Sequence, residues 1–496
     1  MATDAATRSV ADMTYALLNR RAVIAAGLAI PALAIVRASA QTAPSPQAGS
    51  FRFKNLRGEE TDAERGFFEV PEDRRDPRSR KIRLGYVRFP STAARPGPPI
   101  IYLAGGPGGE GSGAATGPRF PIFMALRAVS DVIAFDQRGT GLSSTIPEHP
   151  VSKRPLPIFT EAGMTAHFRE EFRSAWSDWT RAGVAMAGYN TEQSADDVDD
   201  LRLHLGAEKI SLWGTSYGSH LALCVLKRHG DRVSRVALSS LEGLDQTVKL
   251  PARSDVYLRQ VDALLGADPA ARAAVPDLLS LMRRVHAKLE AQPQAMKVML
   301  HGVPGEIRMG GFGVQLVASG LIANPRSLAV LPAMYLELDS GKTDMLAQFL
   351  GDPADLFSFR GMPEAMDLAS GISPARLAQV RREAKTAVLG GALNFPMPQM
   401  AGAIPGVDLG ESFRAPIRSD NSALLIAGTL DGRTVLAEQD EVAVQFRRKA
   451  RVLVENAGHN VFEAHPDVQG LLVQFFRGEA VANTRLSLPP PKFQIT

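Results

Sequence analysis

Residues Lys209 to His220 read Lys-Ile-Ser-Leu-Trp-Gly-Thr-Ser-Tyr-Gly-Ser-His, and this stretch most constrains what the chain can become. A short apolar run predicts a buried strand. Gly214-Thr215-Ser216-Tyr217-Gly218 then interrupts it, and an apolar, helix-forming run from Leu221 to Lys227 follows. Small residues at 214 and 218 let the backbone reverse sharply enough for the Ser216 hydroxyl to stand clear of it. The following helix aims the positive end of its dipole at the same point, which suits an oxyanion forming there. Gly-x-Ser-x-Gly alone is a weak signal. Between a strand and a helix it predicts a nucleophile elbow rather than an ordinary turn.

The flanking chain supplies a sheet for that elbow. Phe67 to Val70 and Lys81 to Phe89 alternate apolar and polar residues and predict two antiparallel strands. Pro99 to Ala104 and Asp131 to Phe135 are apolar throughout. They end in Gly105-Gly106-Pro107-Gly108-Gly109 and in Asp136-Gln137-Arg138-Gly139-Thr140-Gly141. A polar helical stretch runs from about 160 to 187, and a second helix from Ser194 to Leu205 leads into the elbow strand. Arg235 to Ser240 predicts a further strand. Apolar strands alternating with helices predict a mostly parallel sheet covered on both faces.

From about 245 to 418 helical periodicity dominates, with no clear strand alternation. Ser422 to Gly428 and Ala450 to Val454 then resume the sheet, and a last helix spans about 468 to 476. The expected organisation is an α/β core at 51–244 and 419–480, with a large, mainly helical cap at 245–418. The cap is inserted before the strand that bears the acid described below.

Residues 1–40 read as an export signal of the twin-arginine kind. Asn19-Arg20-Arg21 precedes an apolar run from Ala22 to Val36, and Ala38-Ser39-Ala40 offers a cleavage site. The expectation is an exported protein, periplasmic or secreted, with no stable membrane insertion once the signal is removed. Residues 41–50 form a polar, proline-containing linker. The formal charge of +4 halves without the first 40 residues, which carry four arginines against two aspartates. Nothing in that balance points to nucleic acid. The single cysteine, Cys224, excludes an internal disulfide and reads as a buried thiol on the elbow helix. No metal-ligand spacing and no phosphate loop occurs, so no cofactor is implied.

A serine hydroxyl needs a base, and the base needs an orienting acid. Gly428-Thr429-Leu430-Asp431 follows one strand and Asn456-Ala457-Gly458-His459 follows the last. Loops at one sheet edge converge, so Ser216, His459 and Asp431 form the expected nucleophile, base and acid. His465 and Asp440 are the rivals for base and acid. His220 is expected to pack or cap, and the six other histidines lack a matching acid or strand end. The oxyanion donors are expected to be the amides of Tyr217 and Gly106, with Gly105 the alternative to Gly106.

Gly-Gly-Pro-Gly (105–108), Asp-Gln-Arg-Gly-Thr-Gly-Leu-Ser (136–143), Gly-Thr-Ser-Tyr-Gly-Ser (214–219), Gly-Thr-Leu-Asp (428–431) and Gly-His-Asn (458–460) occur in family order. Together they resemble the prolyl aminopeptidase (proline iminopeptidase) group of α/β-hydrolases, including its secreted tripeptidyl-aminopeptidase-like branch, over roughly residues 60 to 478. The resemblance implies the α/β-hydrolase fold and an exopeptidase that cuts after an N-terminal residue, often proline. It also implies a helical cap that forms the S1 pocket and carboxylates that bind the free ammonium. By position, Glu242 and Asp367 take that last role. Ala104 stands where many prolyl aminopeptidases have histidine, and in this the chain is closer to the secreted branch. A carboxylesterase acting on small acyl esters uses the same machinery and is the alternative. A catalytically silent binding protein on the same scaffold is the alternative of another class.

Overall fold

The computed structural model describes residues 47–150, 152 and 154–495; the export signal expected at 1–40 lies outside them. Ten strands form one sheet. In chain order they are β1 (Gly49–Lys54), β2 (Glu60–Pro71), β3 (Lys81–Phe89), β4 (Ile100–Leu103), β5 (Val132–Asp136), β6 (Ile210–Thr215) and β7 (Val233–Ser239). A two-stranded hairpin, β8 (Gln294–Leu300) and β9 (Val303–Met309), stands apart. The main sheet ends with β10 (Ser422–Gly428), β11 (Lys449–Glu455) and β12 (Thr484–Ser487). The spatial order is β1-β2-β3-β5-β4-β6-β7-β10-β11-β12. β1, β2 and β3 pair antiparallel along one edge, and everything from β5 to β12 is parallel.

The central strands are buried along their whole length, as a parallel sheet with helices on both faces requires. The chain leaves β4 for β5 on one side and returns to β6 on the other. The order therefore reverses at β4, and loops from β4 and β6 face one crevice at the carboxyl ends of the strands.

Helices α1 (Glu161–Arg181), α2 (Thr191–His204) and α3 (Tyr217–His229) precede the segment between β7 and β10. That segment includes α4 (Pro251–Leu265), α5 (Gly311–Leu321) and α6 (Met362–Ser370), and α7 (Pro466–Arg477) lies between β11 and β12. Asn190 caps α2, and Thr160 caps α1, each accepting a backbone N–H from the first turn.

Four sequence expectations need correction. The stretch 245–418 contains a strand pair, β8 and β9, whose Met296, Val298, Ile307 and Met309 are buried on one side. Gly49 and Ser50, expected in a linker, already belong to β1, and β12 extends the sheet beyond residue 480. Helix α1, expected in the core, packs on the cap: Phe168 meets Phe359 and Phe395, and Phe172 meets Phe359. Its neighbours come from residues two hundred positions away, which helical periodicity alone does not reveal. Finally, two histidines expected to lack acids have them. His229 Nε2 lies 2.8 Å from Asp196, and His149 Nδ1 lies 3.1 Å from Asp178.

Candidate active site

The elbow is held by backbone sterics. Ser216 sits at φ 53° and ψ −126°, a conformation few non-glycine residues adopt. A Cβ on Gly214 would lie 2.6 Å from the Gly218 carbonyl oxygen, and one on Gly218 only 2.0 Å from the Leu103 oxygen. Both positions thus require glycine, and the contact presses the start of α3 against the end of β4. Ser216 N–H donates to the Ser239 carbonyl at 3.0 Å, which ties the turn to β7. The next amide, Tyr217 N–H, opens α3, where the helix offers it no acceptor. Gly106 follows β4 at φ 133°, and a Cβ there would lie 2.6 Å from Gly108 N.

Asp431 and His459 come together from the loops after β10 and β11. His459 Nδ1 lies 3.0 Å from both carboxylate oxygens of Asp431. Both side chains are buried. Asp431 Oδ1 also accepts the backbone N–H groups of Arg433 at 2.9 Å and Thr434 at 2.8 Å, which orients the carboxylate. The rivals lie elsewhere: His465 caps α7 through Asp467 N–H, and Asp440 pairs with Arg451.

Ser216, His459 and Gly106 all line one pocket of about 210 Å³, together with Glu242 and Asp367. Its apolar wall is built from Phe168 and Phe172 of α1 with Leu316, Phe395 and Met397 of the cap. Its charged lining consists of Glu242, Asp355, Glu364 and Asp367 against Lys249 and Arg433. Glu242 already holds a cation, because Lys249 Nζ donates to its Oε2 at 2.6 Å and to the Gln246 carbonyl at 2.6 Å. Burial lowers the Arg433 guanidinium from its ordinary value, and the charges of Asp431 and Glu242 partly offset that. Among the described residues, no group of three or more His, Cys, Asp or Glu side chains could hold a metal ion.

Lys249, Arg433, Asp355 and Glu364 were not expected in the pocket. Arg433 stands two residues past the expected acid, and that proximity was a usable signal. Lys249 had none, since its role depends on a fold-level encounter with Glu242.

The remaining motif residues are structural. Arg138, fully buried, donates to both oxygens of Asp197 at 2.7 and 2.8 Å and to the Glu72 and Gly188 carbonyls. It thereby fastens α2 to the loop after β5. Asp136 accepts the N–H and hydroxyl of Ser112 and the Leu142 N–H, and burial pushes its carboxyl up to about 6. His220 packs, as expected, between the Gly243 carbonyl and the Ser370 hydroxyl, and burial lowers its pKa. Cys224 is buried, and burial raises its thiol pKa.

Residues 98–302 match a family described as the alpha/beta hydrolase fold. The chain is 30% identical over 193 residues to a tripeptidyl aminopeptidase of Streptomyces lividans, covering 36% of this chain and 35% of that protein. It is 27% identical over 186 residues to the serine protease Hip1 of Mycobacterium bovis, covering 35% of each. The matches therefore span about a third of the length of these relatives. Among solved structures, a thermophilic esterase from Thermogutta terrifontis aligns over 83% of this chain and 98% of its own. Its identity is 15% and its TM-score 0.36. Sheet order, elbow and family match together make this chain an α/β-hydrolase-fold protein, similar over about a third of its length to tripeptidyl aminopeptidases.

Proposed function

We propose that the protein is a serine hydrolase, and specifically an exported aminopeptidase that releases N-terminal residues, of the proline type, from peptides. The observation that carries the hydrolase reading is the Asp431–His459 pair opening on the same pocket as Ser216. Ser216 Oγ attacks the scissile carbonyl and gives its proton to His459 Nε2, while Asp431 holds Nδ1–H and stabilises the imidazolium. The amides of Gly106 and Tyr217 meet the oxyanion. The leaving amine takes the proton from His459, and water, activated by the same base, then hydrolyses the acyl-enzyme.

The aminopeptidase reading draws support from the relatives and from charge. Four carboxylates against two cations leave the pocket acidic, which suits a substrate ammonium. Glu242, which holds Lys249, and Asp367 both line the pocket, and the reading assigns the ammonium to these two carboxylates. The apolar wall favours one competing reading, an esterase for small acyl groups. Among the described residues no helix is long and apolar enough to cross a membrane. Export rests on the N-terminal signal and is tested by fractionating cells that produce the full chain.

The deciding experiment compares a prolyl amide, its N-acetylated twin, an alanyl amide and a p-nitrophenyl ester, with Ser216→Ala as control. Turnover of the free amine but not its acetylated twin supports the aminopeptidase. Turnover of the ester alone, lost in Ser216→Ala, replaces it with an esterase.

A further inference from the structure

Three consecutive cap residues contact both loops of the Asp431–His459 pair. Gly432 N–H, next to the acid, donates to the Ile322 carbonyl at 3.1 Å. His459 N–H donates to the Ala323 carbonyl at 2.8 Å. Asn460 N–H, next to the base, donates to Asn324 Oδ1 at 3.1 Å. The fit leaves no slack: a Cβ on Gly432 would lie 2.4 Å from the Ile322 oxygen, and one on Gly458 2.6 Å from Asn324 Cα. These three residues directly follow α5, in the segment between β7 and β10. A fourth link comes from α4. The buried Tyr257 hydroxyl lies 3.1 Å from the Ile322 carbonyl and 3.2 Å from the carbonyl of Leu430, the residue before Asp431.

We infer that residues 322–324 brace the catalytic pair from the cap, with Asn324 and Tyr257 as positioning residues that act through His459 and Asp431. The inference rests on the serine-hydrolase reading. Substrate contacts do not enter it, because neither side chain lines the pocket. The two loops meet directly, Leu430 N–H donating to the Ala457 carbonyl at 2.8 Å and Asn456 N–H to Thr429 Oγ1 at 2.8 Å. The backbone at 322–324 adds a hydrogen bond immediately beside the acid and another at the base itself, where those direct bonds do not reach. The cap is then part of the proton-transfer machinery as well as the roof of the pocket. Its α5 end stays docked during turnover, and substrate enters past other parts of the cap.

The test uses the full chain and a fluorophosphonate probe, which reports on Ser216 whatever the natural substrate is. Tyr257→Phe removes one oxygen, Asn324→Ala removes the acceptor, and Asn324→Asp restores it. Tyr335→Phe is the stability control, since its hydroxyl meets His286 at 2.6 Å, away from both loops. Tyr257→Phe and Asn324→Ala are expected to slow labelling roughly ten- to hundredfold. Asn324→Asp is expected to recover most of the rate, a rescue that a general loss of stability would not give. Labelling rates equal to wild type in Tyr257→Phe and Asn324→Ala would overturn the brace, as would an equal loss in Tyr335→Phe. Wild-type protein that does not label would overturn the serine-hydrolase reading and the brace with it.

Discussion

A single methyl group at position 218 tests how the elbow and the oxyanion strand are held together. In Gly218→Ala the new Cβ would stand 2.0 Å from the Leu103 oxygen, 2.8 Å from the Leu103 carbonyl carbon and 3.0 Å from the Ala104 oxygen. Ordinary contact begins near 3.4 Å, so α3 and the end of β4 must part by about 1.4 Å. All three obstacles are backbone, and none can swing aside. The parting separates Ser216 and Tyr217 on one side from Gly106 on the other. Misplacement of about 1 Å costs roughly a hundredfold in rate, so kcat should fall about 100-fold or more. Overpacking should also cost about 1 to 3 kcal/mol of stability. Gly230→Ala at the far end of α3 is the matched control. It has φ −59°, and its Cβ would meet nothing closer than Asn421 Oδ1 at 3.8 Å. Single-turnover labelling and steady-state hydrolysis, both at a temperature where each variant is folded, read the effect. Gly218→Ala within about threefold of wild type, a difference of under 1 kcal/mol, would refute the steric account of the elbow.

Asp431→Asn keeps an oxygen for the Arg433 and Thr434 amides but turns an NH2 toward His459, imposing the wrong tautomer. Its kcat should drop by roughly four orders of magnitude, measured as burst-free hydrolysis. Arg138→Met strips two hydrogen bonds from buried Asp197, which keeps only its ion pair with Arg74 at 2.6 Å. The cost should be about 3 kcal/mol in urea unfolding, with kcat near wild type in the folded fraction. Burial acts to raise the Asp196 carboxyl, but hydrogen bonds from His229 and Arg228 outweigh it and hold the pKa at about 2. A depressed carboxyl pKa stabilises the fold above the unfolded value and loses that stability as pH falls from about 4 to 2. After discounting for solvent around the pair this is about 1 kcal/mol. Urea midpoints of wild type and Asp196→Asn should therefore stay apart by a constant amount above about pH 5 and draw together as pH falls from about 4 to 2.

The core was legible because its signals are local. Apolar strands ending in glycine-rich turns located β4, β6 and β10, and the order of Ser216, Asp431 and His459 picked them from many candidates. The contacts that shape the pocket were not legible, because they join distant segments. Lys249 cancels Glu242 through a meeting that no motif encodes. The β8–β9 hairpin was hidden for a different reason. Its two-residue turn is His301-Gly302, at φ 52° and 77°, where Asn-Gly would have announced the same geometry. Seven-residue strands inside a helical region are short enough to read as helix edges.

The roof of the pocket comes from two places in the chain. Helix α1 precedes the elbow, and the rest lies between β7 and β10, yet Phe168 and Phe172 interlock with Phe359 and Phe395 as one aromatic layer. The cap is therefore not a cassette. Exchanging residues 245–418 with those of a relative would leave half of that layer facing a stranger, and deleting them would strip α1 of its apolar partner. Grafting a new specificity onto this scaffold means moving both pieces together, as one would move both halves of a hinge.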